Sequence, residues 1–194
     1  MTKTLYLMRH GQTRLNVEGR VQGAYDSPLT DLGIAQAGMA KDYFETNGIR
    51  FDQVYSSTQE RASDTAEIVS GQVPTRLKAI KEMDFGTFEA KEERLLPVHR
   101  PGTKSFEDQL VPYGGEDIRL VGKRVYEGLL AVLDQASDGD TLLAVSHGAA
   151  MWGFILHIDA VLPEGARFGN CAICRLTYAE GELTLEAVID PTAQ

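Results

Sequence analysis

Apolar positions along this chain switch between two periods, and the switches mark out alternating strands and helices. Residues 4–8, Thr-Leu-Tyr-Leu-Met, form a short apolar run that predicts a first strand, followed by a Gly-rich loop. From Thr30 to Asn47 the residues Leu32, Ala35, Met39, Tyr43 and Phe44 predict a helix with those five on its buried face, and Asn47-Gly48 supplies a stop. Gln53-Val-Tyr-Ser-Ser57 predicts a second strand. Ser57-Thr58-Gln59-Glu60 then matches a capping box, in which a Ser side chain and a Glu three residues on satisfy free donors at a helix start, so Arg61 falls in a first helical turn. Ile118, Val121, Val125, Leu129, Val132 and Leu133 recur at helical spacing within 116–137. Residues 141–146 predict a buried strand that feeds a helix from Gly148, and 173–178 with 182–189 predict an antiparallel hairpin across Ala179-Glu180-Gly181. This alternation is the signature of an α/β fold with a largely parallel sheet.

The periodicity fails between Glu82 and Glu116, where Pro97, Pro101 and Pro112 stand among Lys91, Arg94, His99, Arg100 and Lys104. Long irregular segments inside compact domains are usually lids or binding elements, so residues of about 83–115 are read as a small cap over the sheet edge. A length of 194 residues suits one core, and the expectation is a single domain spanning 1–194.

Composition narrows the chemistry. With 43% hydrophobic and 24% charged residues the chain reads as globular, and no apolar run approaches a membrane span, so membrane association is not expected and a cytoplasmic location is the default. A formal net charge of -9 without a basic run argues against nucleic acid. An acidic protein that handles an anion must gather a few cations locally, which directs attention to individual arginines. Cys171 and Cys174 have C-x-x-C spacing but no second ligand pair, and they lie in a strand-like run, so they are read as core residues and not as a zinc or redox pair.

Arg9-His10-Gly11 stands where the first strand ends, at the carboxyl edge where open α/β sheets bind ligands. Strand neighbours point to opposite faces, so Arg9 and His10 converge on one ligand only if the chain turns there, which Gly11 permits. Arg61 in a first helical turn opposes the helix dipole; a bound anion, shared between the guanidinium and the helix donors, would remove the conflict, although pairing with a nearby carboxylate such as Glu60 or Asp64 would also serve. Ser146-His147-Gly148 repeats the strand-end His-Gly arrangement. A divalent metal would be repelled by Arg9 and Arg61, so neither metal nor cofactor is expected. His99 and His157 have no comparable setting.

LYLMRHGQT, QGAYDSPLTDLGIAQA, YSSTQERASDTAEI, KEMDFGTFEA, GGED and VSHGAAM, in that order and spacing, resemble the phosphoglycerate mutase-like branch of the histidine phosphatase superfamily. The resemblance implies a three-layer α/β sandwich with a central, mostly parallel sheet flanked by helices, and metal-free catalysis through phosphohistidine. It implies His10 as the nucleophile, Arg9, Arg61 and His147 as the phosphate pocket with Gly148 beside it, Glu82 as the proton donor, and Asn16 and Gln22 as substrate contacts. Asp84 is the rival acid. The expected partner is a small phosphorylated metabolite, and the sequence leaves a homodimer open. The resemblance favours a phosphatase over a phosphoglycerate mutase, because the family's mutases carry a longer insertion with an adjacent arginine pair, whereas this chain has a shorter cap and no Arg-Arg dipeptide. A non-catalytic phospho-ligand module would have lost the nucleophile or the acid, and both are present.

Overall fold

The computed structural model describes residues 2–193. One sheet of six strands forms its centre: β1 (Thr2–Arg9), β2 (Gln53–Ser57), β3 (Thr75–Leu77), β4 (Thr141–Ser146), β5 (Ile173–Ala179) and β6 (Glu182–Ile189), in the order β3-β2-β4-β1-β5-β6. β3, β2, β4 and β1 pair in parallel, whereas β5 is antiparallel to both β1 and β6, so β5 alone runs against the others. The sheet is mostly parallel, as the alternation of periods predicted. The closing hairpin turns through Glu180 and Gly181, both at positive φ, where glycine carries no penalty.

Strand side chains divide by the period of two. Leu5, Leu7, Leu142 and Ala144 face a core shared with α4 (Ile118–Gln135) and α5 (Gly148–His157); Tyr6, Met8, Leu143 and Val145 face α2 (Asp31–Thr46) and α3 (Glu60–Ser70). A short α1 (Arg14–Val17) follows β1. Helices therefore cover both faces. α4 and α5 cross where Gly122 meets Gly153, and a Cβ on Gly122 would overlap the Gly153 carbonyl. Cys171 and Cys174 are buried free thiols, each pushed up to about 12 by burial.

Two local expectations are corrected. α2 begins and ends as the sequence predicts, with Thr30 and Asn47 as its caps, but it buries Gly33, Ala37, Ala40 and Phe44 and leaves Leu32 50% and Met39 36% exposed. The reason is closeness of approach: a methyl on Gly33 would overlap the Gln12 carbonyl, so this face selects small residues that hydrophobic weighting overlooks. The capping box also fails to form, because α3 starts one residue after Gln59 and no cap side chain bonds its donors. Asp26, from a distant loop, accepts from the Glu60 amide at 2.5 Å instead.

The segment after Glu82 folds into short 3-10 turns at Gly86–Phe88, Glu93–Leu95 and Val111–Tyr113. It is stitched to the loop after α1 by Val21 N–H to Lys91 O at 2.8 Å, Ala90 N–H to Val21 O at 3.0 Å and Glu93 N–H to Gly19 O at 2.9 Å. Among the described residues no helix is long and apolar enough to cross a membrane.

Candidate active site

Register levels three strand ends. Arg9 lies opposite Ser146 and Ser56 opposite Val145, so the residues leaving β1, β2 and β4 meet at one edge. His10 is fixed there by its backbone: its N–H donates to Ser146 O at 3.1 Å, and its carbonyl accepts from Asn170 Nδ2 at 3.1 Å and Cys171 N–H at 3.3 Å. The Gly11 amide donates to Thr65 Oγ1 at 3.1 Å, and a Cβ on Gly11 would overlap the Gly33 carbonyl. That turn aims the imidazole where the next strand residue would not.

His10 Nδ1 lies 2.7 Å from the Gly11 carbonyl. A carbonyl only accepts, so Nδ1 carries the proton and Nε2 presents its lone pair. Arg61 Nε–H lies 3.3 Å from that Nε2. Burial first, then the charges of Arg61 and Arg9, hold the imidazole well below its usual pKa of 6.5 and keep it neutral. The His147 ring stands 5.1 Å from it, and His147 is likewise held low by burial, Arg61, His10 and Arg9.

Arg61 is completely buried, and every donor of its fork is engaged. Nη1 reaches Tyr25 O at 2.9 Å and Asp26 Oδ1 at 2.8 Å, Nη2 reaches Gly23 O at 3.1 Å and Gln22 O at 3.4 Å, and Nε faces His10. The anion that relieves the cation at this helix start is Asp26, supplied by the chain. Residues 22–26 are folded between two hubs: Arg61 takes their carbonyls, while the Glu89 carboxylate accepts the amides of Gly23, Ala24 and Tyr25 at 2.8–3.1 Å. Gln59 adds a clamp, donating to Gly23 O at 2.6 Å and accepting the Glu82 amide at 3.0 Å.

Glu82 is buried at the start of α5. Oε1 accepts from Ala150 N–H and Met83 N–H, both at 2.8 Å, and Oε2 from Ala149 N–H at 3.1 Å. Those donors favour the charged form, but burial outweighs them and the carboxyl is raised above 4.5. It can therefore hold a proton and release it. Asp84 is not on the cavity that His10 lines: its amide binds Glu116, its carboxylate accepts Gly86 N–H at 2.8 Å, and it lines a neighbouring cleft with Lys78, Lys81, Glu82 and Arg124.

Three buried side-chain polar atoms among the described residues lack a partner, and two of them belong to this site, Arg9 Nε and His147 Nδ1. The other His147 nitrogen, Nε2, lies 2.7 Å from Ser57 Oγ, and Arg9 Nη1 donates to Phe168 O at 2.6 Å. Gly148 lies against the Arg9 guanidinium, where a Cβ would sit in ordinary contact at 3.5 Å from Nε. Unpaired buried donors are costly, and an anion satisfies them. A cavity of about 150 Å³ opens onto Arg9, His10, Glu82, Asn16, Gln22 and Gly148. Asn16 Oδ1 accepts from Asn170 Nδ2 at 3.3 Å and Gln22 Oε1 from Thr13 Oγ1 at 2.5 Å, so both are oriented by the chain. A larger groove of about 540 Å³ between the ends of α2 and α3 offers no histidine.

Sequence reasoning thus brought Arg9, His10, Arg61, Glu82, His147 and Gly148 to one place, with Asn16 and Gln22 at its rim. It missed Asp26, Ser57, Gln59, Glu89 and Asn170. His99 packs edge-on to Phe106 at 4.4 Å and His157 tilts on Tyr126 at 4.9 Å, neither in this cavity.

The chain matches the model of the histidine phosphatase superfamily (branch 1) over residues 5–191. It is 32% identical over 200 residues to "Probable phosphoglycerate mutase GpmB" of Salmonella paratyphi B, covering 97% of this chain and 91% of that protein. Among solved structures it resembles the phosphoglycerate mutase of Bacillus anthracis str. Sterne, with a TM-score of 0.83, 27% identity and 98% and 94% of the two chains covered. It also resembles a phosphoserine phosphatase mutant of Entamoeba histolytica in complex with phosphoserine, with a TM-score of 0.78, 27% identity and 98% of each chain covered.

Proposed function

The chain belongs to the histidine phosphatase superfamily, branch 1, and from that premise we propose that it is a metal-independent phosphatase of a small phosphomonoester, working through phosphohistidine at His10. The observation that carries this reading is the neutral His10, whose Nε2 lone pair meets only Arg61 Nε–H at 3.3 Å in a site where Arg9 Nε and His147 Nδ1 lack partners. Nε2 attacks phosphorus while the P–O bond to the leaving alcohol breaks, and Glu82 gives that oxygen a proton. Arg9, Arg61 Nε and His147 Nδ1 stabilise the charge on the transferring group, with Ser57 Oγ–H donating to His147 Nε2 so that Nδ1 carries the proton. Ionised Glu82 then takes a proton from water, the water oxygen attacks phosphorus, the P–N bond breaks, and His10 returns neutral beside inorganic phosphate.

The names of the Salmonella relative and the Bacillus structure support a second reading, phosphoglycerate mutase. A mutase must rebind the glycerate carboxylate, and this chain has no Arg-Arg dipeptide to do so. The test is labelling with a ³²P-labelled ester quenched in alkaline detergent, which preserves the P–N bond, together with assays of phosphate release and of 3-phosphoglycerate isomerisation with its bisphosphate primer. The expected results are label on His10 in the parent, none in His10→Ala, and release of phosphate. Stable label in His10→Ala ends the covalent-histidine reading, and isomerisation exceeding release replaces phosphatase by mutase.

A further inference from the structure

The cavity on His10 has an acid at its mouth. Phe85, Glu93 and Leu96 are the residues that the cap contributes to its wall, and Val21 and Ala149 complete the part away from His10. Glu93 is exposed, and no ion-pair or hydrogen-bond partner of its carboxylate is found among the described residues. Its charge is nevertheless felt inside: burial lowers the pKa of Arg9, and the charges of Glu82 and Glu93 partly offset that lowering. The position is fixed by the backbone bond from Glu93 N–H to Gly19 O, 2.9 Å, and by the pairing of Arg20 with Glu92 beside it.

The cap's arginines are spent on its own acids. Arg94 pairs with Glu92, and Arg100 with Glu107 and Asp108, so neither faces the cavity. Among the described residues that line the cavity Arg9 is the one cation, and in the proposed reaction the phosphoryl group takes it. A second anionic group on the substrate would meet the Glu93 carboxylate without a cation to offset it. An ammonium or hydroxyl would be attracted there, and a short carbon chain would lie against Phe85, Leu96 and Val21.

We propose that Glu93 is a specificity-determining residue that selects phosphomonoesters whose alcohol part carries an ammonium or no charge and rejects those with a carboxylate or second phosphate. This rests on the phosphatase reading above. The probes are two esters of matched length, 2-aminoethyl phosphate and carboxymethyl phosphate, and the observable is the ratio of their kcat/KM values in the parent, Glu93→Gln and Glu93→Lys. Differences in leaving-group acidity cancel between proteins. The ratio is expected to favour the ammonium ester in the parent, to fall about three- to tenfold in Glu93→Gln, which loses an attraction to one ester and a repulsion of the other at up to about fivefold each, and to fall again in Glu93→Lys. A ratio constant within about twofold across the three folded proteins overturns the assignment. If neither ester labels His10, the phosphatase reading falls instead. The ratio of the two esters' Kd values for the same proteins then reads the discrimination without turnover, with the same outcomes.

Discussion

Removing the carboxylate of Asp26 should damage the site from behind. Asp26 Oδ1 lies 2.8 Å from Arg61 Nη1 and Oδ2 lies 2.5 Å from the Glu60 amide, so one side chain both pairs a buried cation and caps α3. Two opposite charges about 4 Å apart attract by roughly 4 kcal/mol at the effective dielectric near a protein surface. Water reaches Asp26, whose side chain is 30% exposed against 0% for Arg61, so the pair is worth less than that. Loss of the cap adds about 1 kcal/mol. The carbonyls of Gln22, Gly23 and Tyr25 still hold the fork and limit the harm. Asp26→Ala should therefore cost about 2–3 kcal/mol, and Asp26→Asn, which keeps an acceptor but not the charge, about 1–2 kcal/mol. Urea unfolding measures both, and a double-mutant cycle with Arg61→Met isolates the pair, with an expected coupling of roughly 1–2 kcal/mol. In parallel, the single-turnover rate of His10 phosphorylation should fall in Asp26→Ala, because Arg61 Nε is aimed at His10 Nε2 only while its far end is held. A stability of Asp26→Ala within about 0.5 kcal/mol of the parent, with zero coupling, would refute the reasoning. It would mean that the carbonyl cage alone positions Arg61.

Glu82→Gln should slow single-turnover phosphorylation by an alkyl phosphate about 10²- to 10⁴-fold and by 4-nitrophenyl phosphate much less, because a phenolate leaves without a proton; equal losses would make Glu82 a positioning group. Because His10 and His147 have folded pKa values well below 6.5, the unfolded chain takes up protons that the folded one does not as pH falls below that value. Stability should drop with a slope of up to roughly 2.7 kcal/mol per pH unit; urea titrations at several pH values measure it, and His147→Gln should halve it. Glu82, raised above 4.5, acts oppositely: from 4.5 up to its folded value it favours the folded state less as pH rises, so Glu82→Gln should steepen the acid loss there. Gly33→Ala, placing a methyl against the Gln12 carbonyl, should cost about 1–3 kcal/mol and reduce His10 phosphorylation, since Gly33 also abuts Gly11; a neutral result by thermal unfolding would mean that the loop after β1 yields freely.

Strands with clustered apolar residues were legible, as Thr2–Arg9 and Thr141–Ser146 show, whereas the short, largely exposed Thr75–Leu77 offers no apolar run and was missed. The residues at their ends were legible for the same reason. What a single chain position does not announce is a partner far along the sequence. Asp26 is separated by 35 residues from Arg61, and Asn170 by 160 from His10. Ser57 was visible, but local spacing read it as a cap for its own helix, whereas the fold spends its hydroxyl on His147. The buried face of α2 was misjudged because Gly33, Ala37 and Ala40 bury by closeness and not by apolar bulk.

The central position of β1 dictates the order in which this molecule can be assembled. β1 is made well before its two neighbours, β4, in register at Thr4 with Thr141, and β5, at Thr4 with Thr177. A nascent chain therefore carries an apolar strand with both edges open until β4 and β5 emerge. His10 acquires its last backbone partners only when Asn170 and Cys171 arrive. Closing loops of that length is entropically slow and exposes unpaired edges to other chains. The same topology that brings three strand ends to one point sets His10 far along the chain from the strands that complete its surroundings, so the pocket forms only after β4 and β5 have joined β1.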